Sequence, residues 1–362
     1  MHRRSIPLGL TLCALALGCH HEVEMVPLVE RTIYVTDKFY DVQALSKDRA
    51  FVVGYGGKIL ETSNGGSTWD VRPSGTDSAL YGIKMVDEKQ GWIVGQEGLV
   101  LHTADGGKTW QPQESNATFK DSDGASKRAY LFSLDALDAN TAWAVGDRSI
   151  LISTTDGGKT WTSRKVKMEL DTSGGESLAA ADPIFYAVKF IDAQHGWIVG
   201  EFGKIMYTSD GGQTWKEQER TLMSAESGFF DLLDLPTMFG VYPADAQNVV
   251  AVGLDGHVAR TSDSGQVWAF DKVDAGDVPL VDPLYDAVTL PDGTGWAVGA
   301  AGEVIRKGSG DAAWTRAKIG QDVLTWLRSV NFSDPKNGWM VGGFGLIFRT
   351  TDGGKTWLPS QG

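Results

Sequence analysis

Short apolar runs alternate with Gly-rich polar stretches along most of the chain, and no segment sustains a helical period. One unit shows the layout. Leu80-Tyr-Gly-Ile-Lys-Met85 predicts a first strand, Gly91-Trp-Ile-Val-Gly95 a second, Leu99-Val-Leu-His-Thr103 a third, and a fourth opens at Thr109-Trp110. Polar alternation within these strands is imperfect, as expected of strands covered on both faces.

The unit recurs. Trp69, Trp110, Trp161, Trp215, Trp268, Trp314 and Trp357 each close a similar phrase, clearest as Thr103-Ala-Asp105-Gly-Gly-Lys-Thr-Trp110 and repeated around Asp156, Asp210 and Asp352. Weaker copies hold Asn64 before Trp69 and Asp263 before Trp268, and the copy before Trp314 is decayed. A second phrase precedes each one: Phe51-Val-Val-Gly54, Trp92-Ile-Val-Gly95, Trp143-Ala-Val-Gly146, Trp197-Ile-Val-Gly200, Val250-Ala-Val-Gly253, Trp296-Ala-Val-Gly299 and Trp339-Met-Val-Gly342. Of the 13 tryptophans, only Trp326 stands outside these phrases.

Four strands repeated seven times, with glycine turns between them, predict an all-β fold: a seven-bladed β-propeller of four-stranded antiparallel blades. A lone four-stranded unit cannot bury both faces, so the ring must close. The expected organisation is a leader at 1–18, a tether with a possible ring-closing strand at 19–36 (Val29 to Val35 could latch onto the last blade), and the propeller at 37–362. The Asp-Gly-Gly phrase reads as a turn: aspartate accepts backbone N–H groups and glycine supplies positive φ, and the closing tryptophan covers the turn with apolar surface. Seven copies around a ring cannot converge on one substrate, so Asp105, Asp156, Asp210, Asp263 and Asp352, with the seven closing tryptophans, are expected to be structural.

Composition narrows the function. Only two cysteines occur, Cys13 and Cys19, which excludes a disulfide scaffold, a four-cysteine zinc site and a cysteine nucleophile in the body of the chain. Lys and Arg number 33 against 46 Asp and Glu, a net charge of -13, which argues against nucleic acid as a partner. At the N-terminus, His2-Arg3-Arg4 and the apolar run Ile6 to Leu17 form an export signal. It ends in Leu15-Ala-Leu-Gly-Cys19, which resembles the lipobox of bacterial lipoproteins, with Cys19 as the lipid-carrying residue. An acidic body on a lipid tether in the cell envelope is expected. His20 after the cysteine favours the periplasmic face of an outer membrane.

The two phrases together match the Asp-box, or bacterial neuraminidase repeat, and most closely resemble the photosystem II stability/assembly factor family of propellers. The resemblance covers residues 38–357. It implies a non-enzymatic scaffold without a cofactor, binding a membrane-protein complex or another envelope protein, and a monomer is expected. The alternative is a periplasmic glycan-binding or sialidase-like glycoside hydrolase propeller, since sialidases also carry Asp-boxes. Such an enzyme needs three arginines around a carboxylate, and nothing in the sequence brings Arg148, Arg306, Arg328 and Arg349 together. Three converging arginines, or two carboxylates about 5 to 10 Å apart in a pocket, would favour the hydrolase.

Function in propellers is carried by loops on a rigid ring, and the connections 111–130, 162–184 and 216–237 are long. In the last of these, Phe229, Phe230, Leu232, Leu233 and Leu235 form an apolar cluster suited to docking a partner or to plugging the channel mouth. The acids Asp271, Asp274, Asp277 and Asp282 lack EF-hand spacing, so no metal site is predicted. One first-strand position reads Tyr40, Tyr81, Phe132, Tyr186, Phe239, Tyr285 and then Arg328, an expected blade-packing position broken once. Arg328, nearby Trp326, and Arg148 in a turn that elsewhere ends in glycine are therefore further partner-binding candidates.

Overall fold

The computed structural model describes residues 31–168 and 182–360, and its body, Thr32–Gly362, is one compact unit. Each blade is a sheet built from consecutive sequence. In blade one the strands are Phe39–Ala44, Ala50–Gly54, Ile59–Thr62 and Asp70–Arg72, paired in that order and antiparallel. The six later blades begin with Leu80–Met85, Leu131–Ala136, Phe185–Phe190, Met238–Pro243, Leu284–Thr289 and Leu327–Phe332. These innermost strands pack side by side around the axis, and that of blade seven meets that of blade one, so the ring is closed. The fold is a seven-bladed propeller.

The second strands, such as Gly91–Gly95, are buried at every residue, which explains their continuous apolar reading. Additions to the plan are small. Thr118–Lys120 pairs with Ser126–Arg128 in a hairpin between blades two and three, and Val273–Asp274 adds a parallel fifth strand to blade six.

The recurring indoles are the cement between blades. Trp69 of blade one meets Trp339 of blade seven edge-on with centroids 5.5 Å apart, Trp110 of blade two meets Phe51 of blade one, and Trp357 of blade seven meets Trp296 of blade six. The tryptophan closing one blade's Asp-box thus reaches the second strand of the blade before it. Trp161 of blade three adds a polar tie: it is buried in one cluster with Trp92 of blade two, and both indole N–H groups donate to Gln113 Oε1, at 3.0 and 3.1 Å. Trp268 shares a core cluster with Trp197, and Trp314 with Val250.

Trp215 of blade four departs from this contact. Phe190 of its own blade stacks on Trp143 of blade three at 3.7 Å, and so occupies the place the closing indole takes elsewhere. Trp215 is left half-buried, meeting Phe190 edge-on at 6.0 Å and donating its N–H to the Gly212 carbonyl of its own turn at 3.1 Å. It covers its turn, as the sequence predicts, but reaches the neighbouring blade through a second ring.

The second glycine of the phrase makes room for the seam: at Gly107 φ is +82° and a Cβ would stand 2.5 Å from the Phe51 ring.

Among the described residues, ring closure uses these same contacts and no added strand. Residues 31–35 pair with no strand, while the leader at 1–18, Cys19, and Val29 and Glu30 of the expected latch lie outside the described residues. The seam is stitched instead by Ala44 N–H donating to Asn331 Oδ1 at 2.9 Å, by Arg349 donating to the carbonyls of Gly65 and Lys47, and by Trp69 Nε1 donating to Ser360 Oγ. Ile33 packs against this core.

Candidate functional site at the channel mouth

The two ends of the ring differ. At one end lie the Asp-boxes. In the blade-two copy Thr103 Oγ1 donates to Asp105 Oδ1 at 2.9 Å, Gly107 N–H donates to Thr103 Oγ1, and Thr109 donates its N–H and hydroxyl to the two Asp105 oxygens at 2.9 and 2.7 Å. The Thr109 donors hold the Asp105 carboxyl down to about 2. The same bonds recur at Asp156, Asp210 and Asp352. At Asp263 only the N–H of Val267 remains from the second pair. These carboxylates are thus committed to the turn itself.

At the other end lie the connections between blades, the tight turns between second and third strands, and the mouth of the channel. All seven innermost strands carry an irregularity of register after their first residue. Such a bulge re-aims a side chain, and here the re-aimed residue is the sequence position that reads Tyr40, Tyr81, Phe132, Tyr186, Phe239, Tyr285, Arg328. These residues line the channel mouth, and the rings pack there against the equivalent ring of a neighbouring blade. Successive rings from Tyr40 to Tyr285 touch with centroids 4.9 to 5.7 Å apart. Arg328 completes the circle: its guanidinium lies 5.2 Å from the Tyr285 centroid and donates to the Tyr285 carbonyl at 3.2 Å. Trp326 stacks on Tyr40 at 5.8 Å with planes 3° apart. The two exceptions to the repeat therefore meet at one site.

Beneath the aromatic circle the channel is polar. Innermost strands are edge strands whose free N–H groups need acceptors. Asp41 accepts from Ile83 of the next blade, Ser133 from Val188, Asp286 from Val330 and Asp135 from Phe190. Ser329 Oγ lies 2.8 Å from Asp41 Oδ1 and 3.0 Å from Asp286 Oδ2. Burial pushes the Asp41 carboxyl up, and pushes Asp286 up to about 6. Asp135 is also desolvated, but Lys84 at 2.8 Å and nearby Lys189 hold its carboxyl low. Burial pulls at Lys189 too, yet the charges of Asp135, Asp41 and Asp286 keep its ammonium above the usual range. Three carboxylates and two ammoniums thus largely neutralise one another. Sequence reasoning missed this layer, although Asp and Lys at inward positions of otherwise apolar strands were its signal.

The remaining candidates divide. Phe229 packs on Phe270 and His257, Leu235 is buried, and Leu232 is partly buried, all against the core of blades four and five. Phe230, at 77% exposure, and Leu233 face solvent. Residues 223–236 do not line the channel mouth, so this segment is no plug. Arg148 is exposed at φ 54° with its guanidinium over Phe119, and it does not line the channel-mouth cavity as Arg328 does. Arg306 lies over Trp296 and Arg349 over Trp339, so no arginine triad forms. Two exposed phenylalanines escaped the sequence reading: Phe202 and Phe344 occupy the position of Arg148 in blades four and seven, at φ 56° and 57°.

Asp41 and Asp286 are brought together by one hydroxyl that touches both. Access does not follow. The channel-mouth cavity is about 60 Å³, room for a couple of waters and far below the several hundred Å³ of ligand pockets. Among the described residues no group of three or more His, Cys, Asp or Glu is arranged to hold a metal.

Comparison with known proteins agrees with this geometry. The family described as Photosynthesis system II assembly factor YCF48 matches residues 22–118 and 176–236. The photosystem II assembly lipoprotein Ycf48 of Prochlorococcus marinus is 28% identical over 262 residues, covering 61% of this chain and 71% of the relative. Among solved structures, YCF48 bound to D1 peptide superposes with a TM-score of 0.63 at 19% identity, over 89% of this chain and 96% of that one. The GH74 xyloglucanase of Xanthomonas campestris reaches 0.64 at 10% identity, over 91% of this chain and 55% of the enzyme, a likeness of fold alone. The chain is a seven-bladed Asp-box propeller whose sequence is similar to those of the photosystem II stability/assembly factors.

Proposed function

We propose that the protein is an exported, lipid-anchored scaffold that uses the channel-mouth face to hold a segment of a membrane-protein client during assembly. The observation that carries this is the mouth itself: an aromatic circle closed by Arg328 and backed by Trp326, on the face where Phe202, Phe230, Leu233, Leu254, Val278 and Val281 stand exposed. Tyr, Trp and Arg are the side chains that dominate binding energy at protein interfaces, and exposed apolar residues around a rigid rim favour docking over solvation. The relative solved with a D1 peptide supports a membrane-protein segment as the kind of partner. The relatives named as lipoproteins support an anchor, here at Cys19, and His20 favours the periplasmic face of the outer membrane.

Affinity capture after in-cell crosslinking tests the reading. The intact protein should bring down an integral membrane protein, and Arg328→Ala with Trp326→Ala should reduce the yield at least tenfold without changing the circular dichroism. Undiminished capture by the double variant would remove the mouth from the account.

A second reading has one observation behind it, the closeness of Asp41 and Asp286. Glycoside hydrolysis abolished by Asp41→Asn or Asp286→Asn would establish it. The small cavity and the backbone bonds of both carboxylates oppose it.

A further inference from the structure

The chain reaches the propeller across the channel-mouth face, at the seam between blades seven and one. The Tyr34 carbonyl and Ile33 lie against Gly345, whose N–H donates to the Asp37 carbonyl at 2.8 Å. Around this crossing Tyr34, Val35, Tyr55, Leu324 and Phe344 are all exposed, Leu324 at 89%. They form one neighbourhood: Trp326 packs within about 3 Å of where a Gly343 side chain would stand and stacks on Tyr40, in the blade that also carries Tyr55. Phe344 is held at φ 57°, which is unfavourable for a bulky side chain, so its exposed ring opposes both solvation and backbone preference.

The charges at this corner differ from those of the chain as a whole. Lys38 lies 5.4 Å from the Tyr55 centroid and Lys58 lies 5.2 Å from that of Tyr34. Of the nearby acids, Asp37 is bound by Lys58 at 2.5 Å, Asp77 is exposed next to Thr76, which packs on Gly57, and Asp322 lies two residues before Leu324. Elsewhere on the same face, the connections and turns of blades four to six carry Asp231, Asp234, Asp255, Asp274, Asp277 and Asp282. In a chain of net charge -13 the apolar corner thus repels an anionic surface less than the acidic sector of blades four to six does.

We propose that this corner docks on an anionic lipid bilayer, with Tyr34, Val35, Tyr55, Leu324 and Phe344 entering the headgroup and upper acyl region and the exposed Lys38 reaching the phosphates. Tyrosine rings paired with lysines are the chemistry of the membrane–water boundary, where each side chain keeps an apolar body and a polar tip. The location agrees. A lipid on Cys19 would be joined to Ile33 by a stretch that spans at most about 50 Å, and that stretch arrives in the middle of the patch. Docking there turns the channel mouth toward the bilayer, where a membrane-embedded client emerges. Delivery by the tether rests on the proposed lipidation of Cys19; the corner's own affinity for lipid does not.

The test uses the scarcity of cysteine. Full-length protein carrying Leu324→Cys, or Val267→Cys at the Asp-box end as a control, is labelled with a fluorophore and bound to phosphatidylcholine–phosphatidylglycerol vesicles containing headgroup nitroxide lipid. The probe at 324 should be quenched several-fold more than the probe at 267, and Tyr55→Ser with Phe344→Ser should remove the difference. Equal quenching at the two positions overturns the proposal, as does shielding of position 324 that requires a client protein as well as lipid. The mass of the N-terminal peptide reads lipidation separately. If it shows no lipid, the same measurement on Cys19→Ser reports the corner alone, so anchor and corner fail independently.

Discussion

At the scale of single residues, the acids of this protein do opposite things according to where the fold puts them. Asp105 is held at about 2 by the donors of Thr109, so the folded state releases a proton that the unfolded chain retains between about pH 4 and 2. Its stabilisation is complete above that window and disappears as pH falls through it. Asp156, Asp210, Asp263 and Asp352 are lowered in the same sense. Thermal unfolding followed from pH 5 to 2 should therefore fall steeply, and Asp105→Asn should shallow that fall; an unchanged slope would contradict the clamp. Asp286 has the other sign. Burial raises it to about 6, so the folded state holds a proton through the interval from about 4 to 6, and stability declines as pH rises across it. Asp286→Asn should abolish that decline, because the amide does not titrate and its oxygen, in the place of Oδ2, still accepts from Val330 and Ser329. An equal loss of Tm at pH 5 and pH 8 would show that the carboxylate is needed charged. The Asp-box aspartates were legible in the sequence because their bonding partners are local. Asp41 and Asp286 were not, because the partners of each come from neighbouring blades remote in sequence.

At the scale of strands and turns, the seam between blades depends on a glycine that turns the chain and clears space for the neighbouring aromatic. Gly107→Ala places a Cβ 2.5 Å from the Phe51 ring at φ +82°. The left-handed conformation and the overlap together should lower stability by about 2–4 kcal/mol, measured by urea unfolding, and Phe51→Leu should recover the steric part. A loss under about 0.5 kcal/mol would mean the seam is looser than described. The tryptophan and glycine phrases disclosed these seams in the sequence, since the copies repeat one contact. Trp161 follows the pattern, whereas Trp215 carries the same phrase and is displaced by Phe190, a residue of the strand that starts its own blade. Nor could the phrases disclose the direction of the first-strand aromatics. Tyr40 and its equivalents point into the channel only because a bulge follows the first residue of each strand, and an alternating pattern read from sequence has no mark for a one-residue slip. The cluster at 229–235 shows the same limit: its apolar residues were evident, but which of them fold down, as Phe229 and Leu235 do, depends on the surface beneath.

At the scale of the molecule, the ring separates maintenance from contact. The Asp-box end spends its hydrogen bonds on itself, whereas the channel-mouth end gathers the residues that depart from the repeat: Arg328, Trp326, Phe202, Phe344 and the exposed Phe230. The sequence disclosed Arg328 and Trp326 as exceptions, and the fold shows that they flank the same mouth. The central claim is that this face holds the client. Its most direct test is site-specific photocrosslinking in living cells, with the crosslinker placed at Phe202 and Phe230 on the channel-mouth face and at Val267 on the Asp-box end. The account predicts adducts to an integral membrane protein from positions 202 and 230 and none from 267. Adducts from 267 alone, or from all three positions alike, would contradict it.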